Sequence, residues 1–413
     1  MKLCIFSENY QRGGIDTFLC ALINAWPDEI DELTLFVNSE NPFESQIEKR
    51  ITRSAKIVRY ENRITRKSSQ LVMQSSNSQP KFFELLKNRV MEVTSIIQFP
   101  YLIIKIYKQL KPLDINALLV VNGGYPGGIN CRASAVAGRI LVKKNNVVFS
   151  FHNYAVKSRL VRRILEAPID CLVSISSKII VSVSTSCLSS LDNRYFLRSN
   201  PNRKVIFNGI EDPQSLVSEN YVSNSQKNRI YCVVIGAIEP RKGHYFLLDA
   251  FKYVVKSNPD VILLIVGKGS TQNENNISTR IRQLGLEKNV ELLGYIEDVR
   301  GLIRNSSLLL VPSQSYESFG ITIVEAMALK VPVVATDVGG IPEVLDSNIG
   351  GIICPRDDPK IFGLAILQFL ENREFADIVA REGRLRFEEK FTSKEMATHY
   401  RDTLKLDTHA DNQ

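Results

Sequence analysis

The sequence is short of the residues that metal, disulfide and membrane-spanning architectures require. Its seven cysteines stand singly, at Cys4, Cys20, Cys131, Cys171, Cys187, Cys232 and Cys354, with no Cys-x-x-Cys pair, and only four histidines accompany them. That scatter argues against a metal-ligand framework and predicts reduced, buried thiols. No stretch of eighteen uninterrupted apolar residues occurs, so no spanning helix is predicted. Neither half carries Gly-x-Gly-x-x-Gly after its first strand, which disfavours a dinucleotide-dependent dehydrogenase. The N-terminal Lys2-Leu3-Cys4-Ile5-Phe6-Ser7 runs directly into a strand and lacks the apolar region and cleavage site of a secretory signal, so a cytoplasmic location is expected.

What is present is an ordinary globular composition. With 413 residues, 44% hydrophobic and 23% charged, the chain is long enough for two domains, each with its own core. Charge is divided unevenly between them. Residues 1–210 hold 29 Lys+Arg against 16 Asp+Glu, a net of +13, and residues 211–413 hold 23 against 28, a net of −5. A basic half of this kind suits an acidic partner such as anionic lipid or a phosphorylated acceptor, although a plain solvated face has the same composition. Nucleic acid is not expected, because no aromatic platform or reader motif accompanies the charge.

Along the chain, apolar strand patterns alternate with helical ones. After the first strand, Gly13-Gly14 precedes a helical run to Trp26. Such a pair presents bare backbone N–H groups to a phosphate, and tight strand-to-helix turns use glycine for steric reasons as well. Asp31 to Asn38 and Ala55 to Tyr60 read as strands, and Arg63 to Pro80 as a polar loop. A helical region starting at Lys81 is expected to kink or break at Pro100 before Tyr101 to Lys108. Apolar and aromatic residues beside lysines there fit a membrane-surface helix or a core helix with a charged outer face. The strand Ile115 to Val121 enters the loop Asn122-Gly123-Gly124-Tyr125-Pro126-Gly127-Gly128, and a helix follows from Ile129 to Val142. The strand from Asn146 ends at His152, where ligands of open α/β sheets bind, though a lone histidine also serves structure. Lys178 to Ser184 and Lys204 to Phe207 close the first series, and the polar segment 211–228 reads as a linker.

A second series begins at Arg229. Its first loop, Ala237-Ile238-Glu239-Pro240-Arg241-Lys242-Gly243, puts two cations beside the N-terminus of a helix starting at His244, an arrangement suited to pyrophosphate. Strands follow at Val261 to Val266, Val290 to Leu293, Ser307 to Ser313, Val331 to Ala335 and Ile349 to Cys354. Between the strand ending at Ser313 and the helix from Ile321 to Leu329 lies Glu317, with Glu325 one to two turns inside the helix. Gly320 permits close approach of a ligand to the backbone, and the first N–H groups of the helix have no internal partners. The same residues also describe a turn and a buried helix carrying two surface glutamates. Repeated strand–helix units in both halves predict two facing, doubly wound parallel sheets, with the default site in the cleft between them.

In this order and spacing the motifs carry a family resemblance. They are Gly13-Gly14, His152, Val205-Ile206-Phe207-Asn208-Gly209, Pro240-Arg241-Lys242-Gly243, Pro312-Ser313, Glu317 to Glu325 and Gly339-Gly340-Ile341-Pro342-Glu343. The chain resembles retaining glycosyltransferases of family 4, also called glycosyl transferases group 1, which have the two-Rossmann GT-B fold. The resemblance implies an acceptor domain over 1–210, a linker over 211–228, a donor domain over 229–390, and a C-terminal helix within 391–413 packing back on the first domain. It implies that Glu325 binds the ribose of a nucleotide-sugar donor, and that Glu317 lies near the donor sugar with the backbone N–H groups of Phe319, Gly320 and Ile321. Lys242 is implied to neutralise the diphosphate, with Gly14 closing over it and His152 contacting the transferred sugar. The family often has arginine where this chain has Ala237, and Arg241 stands nearby as a substitute.

No Asp-x-Asp motif is present, so neither a metal nor a cofactor is expected. Lys242, Arg241 and helix N-termini would stabilise the leaving diphosphate instead. The implied activity is transfer of a sugar to a glycan or lipid-linked acceptor in cell-surface polysaccharide synthesis, at the inner face of an anionic membrane. A nucleotide-sugar epimerase on the same architecture and a non-catalytic nucleotide-binding module are the alternatives.

Overall fold

The computed structural model describes residues 1–10, 14–41, 44–61, 96–143, 146–156, 160–213, 229–346 and 349–405. They fall into two units, one holding Met1–Gly209 together with the segment that begins at Ser393, the other Ile210–Thr392. Gly13, the polar stretch from Arg63 to Pro80, the helix start at Lys81 and most of the expected linker lie outside the described residues.

The first unit is a seven-stranded parallel sheet. Its strands are β1 (Lys2–Ser7), β2 (Glu32–Asn38), β3 (Lys56–Tyr60), β4 (Ala117–Asn122), β5 (Val147–Phe151), β6 (Ile179–Ser182) and β7 (Arg203–Val205). They lie in the order β3-β2-β1-β4-β5-β6-β7. Every residue of β4 and β5 is buried, which is why these segments read as unbroken apolar runs: helices on both faces leave no wet side to the sheet. The helix Ser393–Lys405 contributes Met396, Ala397, Tyr400 and Leu404 to the same core as Leu3, Ile5, Leu35 and Leu119. The end of the chain therefore completes a core begun by its first residues.

Two local features bear on the sequence patterning, and the expected break near Pro100 falls at the turn residue Gln98. Pro100 stands in the first turn of the helix Phe99–Leu110, where its missing N–H has no partner to lose, so it starts that helix. The helix Leu160–Ser176 contains Pro168 in its interior, and the sequence reading does not include it. It is pinned instead by a buried ion cluster. Arg194 donates from Nε and Nη2 to the two oxygens of Asp170 at 2.8 and 2.9 Å, and its Nη1 lies 2.7 Å from Glu166 Oε2. The hydroxyl of Tyr125 donates to Asp170 at 2.7 Å, with the Arg194 guanidinium over its ring. Helix, ring and guanidinium thus anchor the loop that follows β4.

The second unit has six parallel strands, β8 (Ile230–Ile235), β9 (Val261–Val266), β10 (Val290–Gly294), β11 (Leu308–Val311), β12 (Val333–Thr336) and β13 (Gly351–Cys354). Their order is β10-β9-β8-β11-β12-β13. The helices His244–Ser257 and Pro359–Glu371 cover one face, packing Leu247, Phe251, Phe362 and Ile366 onto Leu263, Ile265 and Leu310. Helix starts carry side-chain caps where loops are exposed. Asp358 accepts from the N–H groups of Lys360 and Ile361 ahead of Pro359, and Ser270 accepts from Asn273, each cap contributing about 1 kcal/mol.

In both sheets the strand order reverses, at β1/β4 in the first unit and β8/β11 in the second. Loops leaving two such strands diverge to opposite faces and open a crevice at their carboxyl ends, where ligands of open α/β sheets bind.

The ion cluster is testable through stability. Arg194→Ala leaves two buried carboxylates without their cation and is expected to lower the unfolding free energy by roughly 3–5 kcal/mol, read from denaturant titration at neutral pH. A loss below about 1 kcal/mol, the range of exposed ion pairs, would show that the cluster is not the anchor described.

Candidate functional site

The reversal in the second unit brings together two loops that are 75 residues apart in the chain. From β8 the backbone passes Gly236 and Ala237, makes a 3-10 turn over Pro240–Lys242 and enters the helix His244–Ser257. From β11 it passes Pro312, Ser313 and Glu317 to the helix Ile321–Ala328. The loops touch at Gly243, which adopts φ 74° and whose missing Cβ would lie 1.8 Å from the carbonyl oxygen of Pro312. No side chain fits there. The N–H of Gln314 donates to the Arg241 carbonyl at 2.7 Å, which fixes the register of one loop on the other.

Onto this frame the structure places Lys242 and Glu317 as direct partners, Nζ to Oε2 at 2.5 Å, with side chains 21% and 13% exposed. Ser313, buried beneath them, places its hydroxyl 3.4 Å from the same Glu317 oxygen, and the Glu317 carbonyl accepts from Gly340 at 2.8 Å. The carbonyl of Ser313 in turn accepts from the Thr336 hydroxyl at 2.5 Å. Glu317 is therefore held through side chain and backbone by the loops after β11 and β12. Arg241 reaches Glu239 at 2.6 Å and lies over the Tyr316 ring, beside Lys242 on the same loop, while Ala237 is exposed.

The helix Ile321–Ala328 begins at Gly320, with φ 96° and no side-chain cap. The N–H of Ile323 donates to the Gly320 carbonyl at 2.9 Å, and the helix start carries the partial positive charge of a helix N-terminus. Phe319 is buried edge-on against Phe391 at 5.8 Å, so its side chain serves packing. Glu325 lies half-buried in the second turn, and its charge acts on Arg300 together with those of Asp298 and Glu211.

Of the expected residues in the first unit, Gly14 is exposed at the start of the helix Gly14–Asn24. His152 follows β5 and is half-buried. Its N–H donates to the carbonyls of Asn122 and Gly123 at 3.0 and 2.8 Å, and its ring meets Phe18 edge-on at 4.2 Å. Nε2 lies 3.1 Å from the Ser150 hydroxyl, which lies 2.7 Å from that of Tyr400. Burial lowers the His152 pKa to about 4, against the opposing effect of Asn208, so the ring is neutral at pH 7. It offers a hydrogen-bonding group there, without positive charge.

The sequence reading names His244 only as a helix start. In the structure it is 2% exposed, with no hydrogen-bonding partner for either ring nitrogen among the described residues. Burial, followed by the charge of Lys242, lowers its pKa to about 4. Position next to a glycine-containing turn is the signal that points to it; burial is not visible in the sequence.

As pH falls, the unfolded chain protonates this histidine before the folded one does, so its contribution to stability is complete above about pH 6.5 and is lost towards pH 4. His244→Phe, which has no proton to take up, is expected to lose on the order of 2 kcal/mol less stability than the parent between about pH 7 and pH 4.5. Parallel pH–stability curves for the two proteins would show that His244 is not held neutral.

Comparison with known proteins agrees with this geometry. Residues 219–386 match the family model of glycosyl transferases group 1. The chain is 30% identical over 193 residues to an uncharacterized glycosyltransferase of Methanocaldococcus jannaschii, covering 46% of this chain and 49% of that one. It is 26% identical over 223 residues to the capsular polysaccharide biosynthesis glycosyltransferase CapM of Staphylococcus aureus, covering 54% and 58%. The chain thus spans about half the length of the curated relatives it matches. Among solved structures, Anabaena HepE in complex with UDP-glucose superposes with a TM-score of 0.71 at 18% identity, over 98% of this chain and all of that one. Two parallel α/β units with this likeness are the GT-B fold, and the segment 219–386, which contains Lys242, Glu317 and Glu325, is a glycosyl transferases group 1 domain.

Proposed function

We propose that the protein is a retaining, metal-independent glycosyltransferase that moves a sugar from a nucleotide-diphosphate donor to a glycan or lipid-linked acceptor in surface polysaccharide synthesis. The observation that carries this reading is the Lys242–Glu317 pair, at 2.5 Å, beside an uncapped helix start at the β8/β11 reversal. One cation, one carboxylate and the positive end of a helix are the groups a sugar diphosphate needs. HepE, bound to UDP-glucose, supports a uridine donor, and CapM supports polysaccharide as the destination.

Breaking the anomeric carbon–oxygen bond leaves negative charge on the diphosphate. Lys242 neutralises it, and the N-terminus of the helix His244–Ser257, which has Gly243 and no side chain as its cap, adds fixed positive potential. Arg241 supplies a second cation from the same loop. These groups supply the leaving-group stabilisation that a divalent ion provides elsewhere. As the bond breaks, the departing phosphate oxygen takes the acceptor hydroxyl proton, and the acceptor oxygen bonds the anomeric carbon on that same face. Configuration is thereby retained and no enzymic base is required. Glu317 and the backbone N–H groups at Phe319, Gly320 and Ile321 hold the sugar hydroxyls, Glu325 the ribose, and His152 acts as an uncharged hydrogen-bonding group.

The surface of the first unit supports a working place at an anionic membrane. The helix Phe99–Leu110 leaves Tyr101 56% and Ile104 55% exposed, next to exposed Lys108 and Lys111. Apolar side chains among lysines bind such surfaces by combined burial and charge.

Glu325→Ala is expected to weaken binding of a UDP-sugar by roughly 2–4 kcal/mol through loss of charged hydrogen bonds; unchanged affinity in calorimetry would remove Glu325 from the donor site. Incubation with donor alone separates the epimerase alternative, since a new sugar nucleotide without acceptor would replace the transferase reading. At low salt the protein is expected to sediment with vesicles containing anionic lipid and to be released at high salt. Equal recovery in the supernatant under both conditions would argue against membrane contact.

A further inference from the structure

The reversal in the first unit, at β1 and β4, has polar groups of its own that the proposed transfer does not use. Glu8 follows β1 and is 6% exposed. Its Oε1 accepts from the Tyr10 hydroxyl at 2.9 Å and from Asn130 Nδ2 at 2.8 Å, and its Oε2 accepts from the Asn130 backbone N–H at 3.0 Å. The carboxylate thus sits on the first turn of the helix Ile129–Leu141. Gly128, which precedes that helix, carries no side-chain cap, and a Cβ there would lie 2.3 Å from Glu8 Oε2.

Arg132 is on the same turn, 5% exposed, and among the described residues neither Nε nor Nη1 has a hydrogen-bonding partner. Its charge is felt at Glu8, Tyr125 and Cys131, which places the guanidinium between the loops that leave β1 and β4. Arg194, in the same unit and 2% exposed, has two hydrogen bonds to Asp170 from Nε and Nη2 and an ion pair from Nη1 to Glu166, whereas Arg132 has no ion pair among the described residues. The contrast is informative. A guanidinium does not neutralise itself by losing a proton, and a buried unpaired charge is costly. Glu8, the carboxylate near enough to respond to it, already accepts three hydrogen bonds.

We propose that Arg132, beside the Glu8-capped start of the helix Ile129–Leu141, anchors a subsite for an oxyanion, a phosphate or carboxylate group of a bound molecule. Nε and Nη1 each share one N–H edge of the planar fork with Nη2, so either edge can present two N–H donors to an anion with two oxygens. Assignment of that anion to the acceptor rests on the transferase reading; the subsite itself does not.

The test uses the full chain carrying Lys242→Ala, so that anion binding at the proposed diphosphate site is removed. Inorganic phosphate and succinate are titrated separately by calorimetry. One site for at least one of them is expected, phosphate alone marking a phosphorylated group and succinate alone a carboxylate. Adding Arg132→Lys, which keeps the charge and loses the fork, or Arg132→Met is expected to weaken that binding at least about tenfold. Arg132→Met is also expected to leave Tm unchanged or higher without anion, because it removes an unpaired buried charge. Failure of both anions to bind, or equal binding by the Arg132 variants, overturns the proposal. A large fall in Tm or loss of folding in Arg132→Met also overturns it, since the guanidinium would then already be satisfied within the protein. UDP affinity, measured separately on the Arg132 variants in the Lys242 background, reports on the transferase reading alone.

Discussion

Parallel pairing sends every strand of a sheet off the same edge, and the reversal of strand order at β8/β11 turns that constraint into a binding frame. After β8 the chain lays down β9 and β10 to one side, then returns to place β11 on the other. The loops leaving β8 and β11 diverge onto opposite faces, so the edge between them is not filled by a crossover helix. Gly243 lets the two loops touch at the Pro312 carbonyl, and Gln314 locks the contact through the Arg241 carbonyl. Only then do Lys242 and Glu317 fall within reach of one another. A side chain at Gly243 would act first on the loop contact and through it on the ion pair.

The same topology at β1/β4 has a different electrostatic result. In the second unit, the groups at the reversal are a paired cation and carboxylate that keep part of their surface in water. In the first, Glu8 is buried and taken up by Asn130 and Tyr10, and Arg132 is buried with two unpaired nitrogens. Burial raises the pKa of Glu8 against its hydrogen bonds and the charge of Arg132, which weakens the carboxylate as a counter-charge. The net charge of +13 over residues 1–210 adds a long-range field of the same sign as Arg132. Screening weakens that field at physiological salt, but buried charge close by is screened much less. Local burial, more than the bulk basic balance, is what distinguishes this position.

Most of the fold was legible because strands buried on both faces produce continuous apolar runs. β4, β5 and β9 carry that signature, and Gly123 after β4 and Pro259 and Gly267 around β9 mark turns. The helix Leu160–Ser176 was not legible: an internal proline opposes it locally, and Asp170 and Glu166 hold it through Arg194, far along the chain. The residues Lys242, Glu317 and Glu325 were visible as motifs, yet their roles came from family resemblance. The direct Lys242–Glu317 contact was not readable, because it depends on which strand lies next to β8. His244 and Arg132 illustrate the remaining gap. Each is a polar residue in the first turn of a helix, where solvent exposure is the ordinary expectation, and only packing decides that both are buried with nitrogens unpaired.

The exposure of the Lys242–Glu317 pair matters for its use. Lys242 and Glu317 keep 21% and 13% of their side chains exposed, which sets the pair between solvent-exposed ion pairs, worth about 0–1 kcal/mol, and fully buried ones; under the proposed function a diphosphate competes with Glu317 for Lys242. A fully buried pair would resist that exchange, since separating it strands a charge at a cost of several kcal/mol. Glu317 is also held by groups other than Lys242. Its backbone carbonyl remains bonded to Gly340, and Ser313, whose own carbonyl is fixed by Thr336, remains beside its carboxylate. Glu317 has these further supports, and Lys242 has Glu317 as its partner. That division suits a site in which the cation follows a leaving group while the carboxylate keeps the sugar in place. It also explains why the structural supports gather around Glu317: the group that must not move is the one tied to two neighbouring loops.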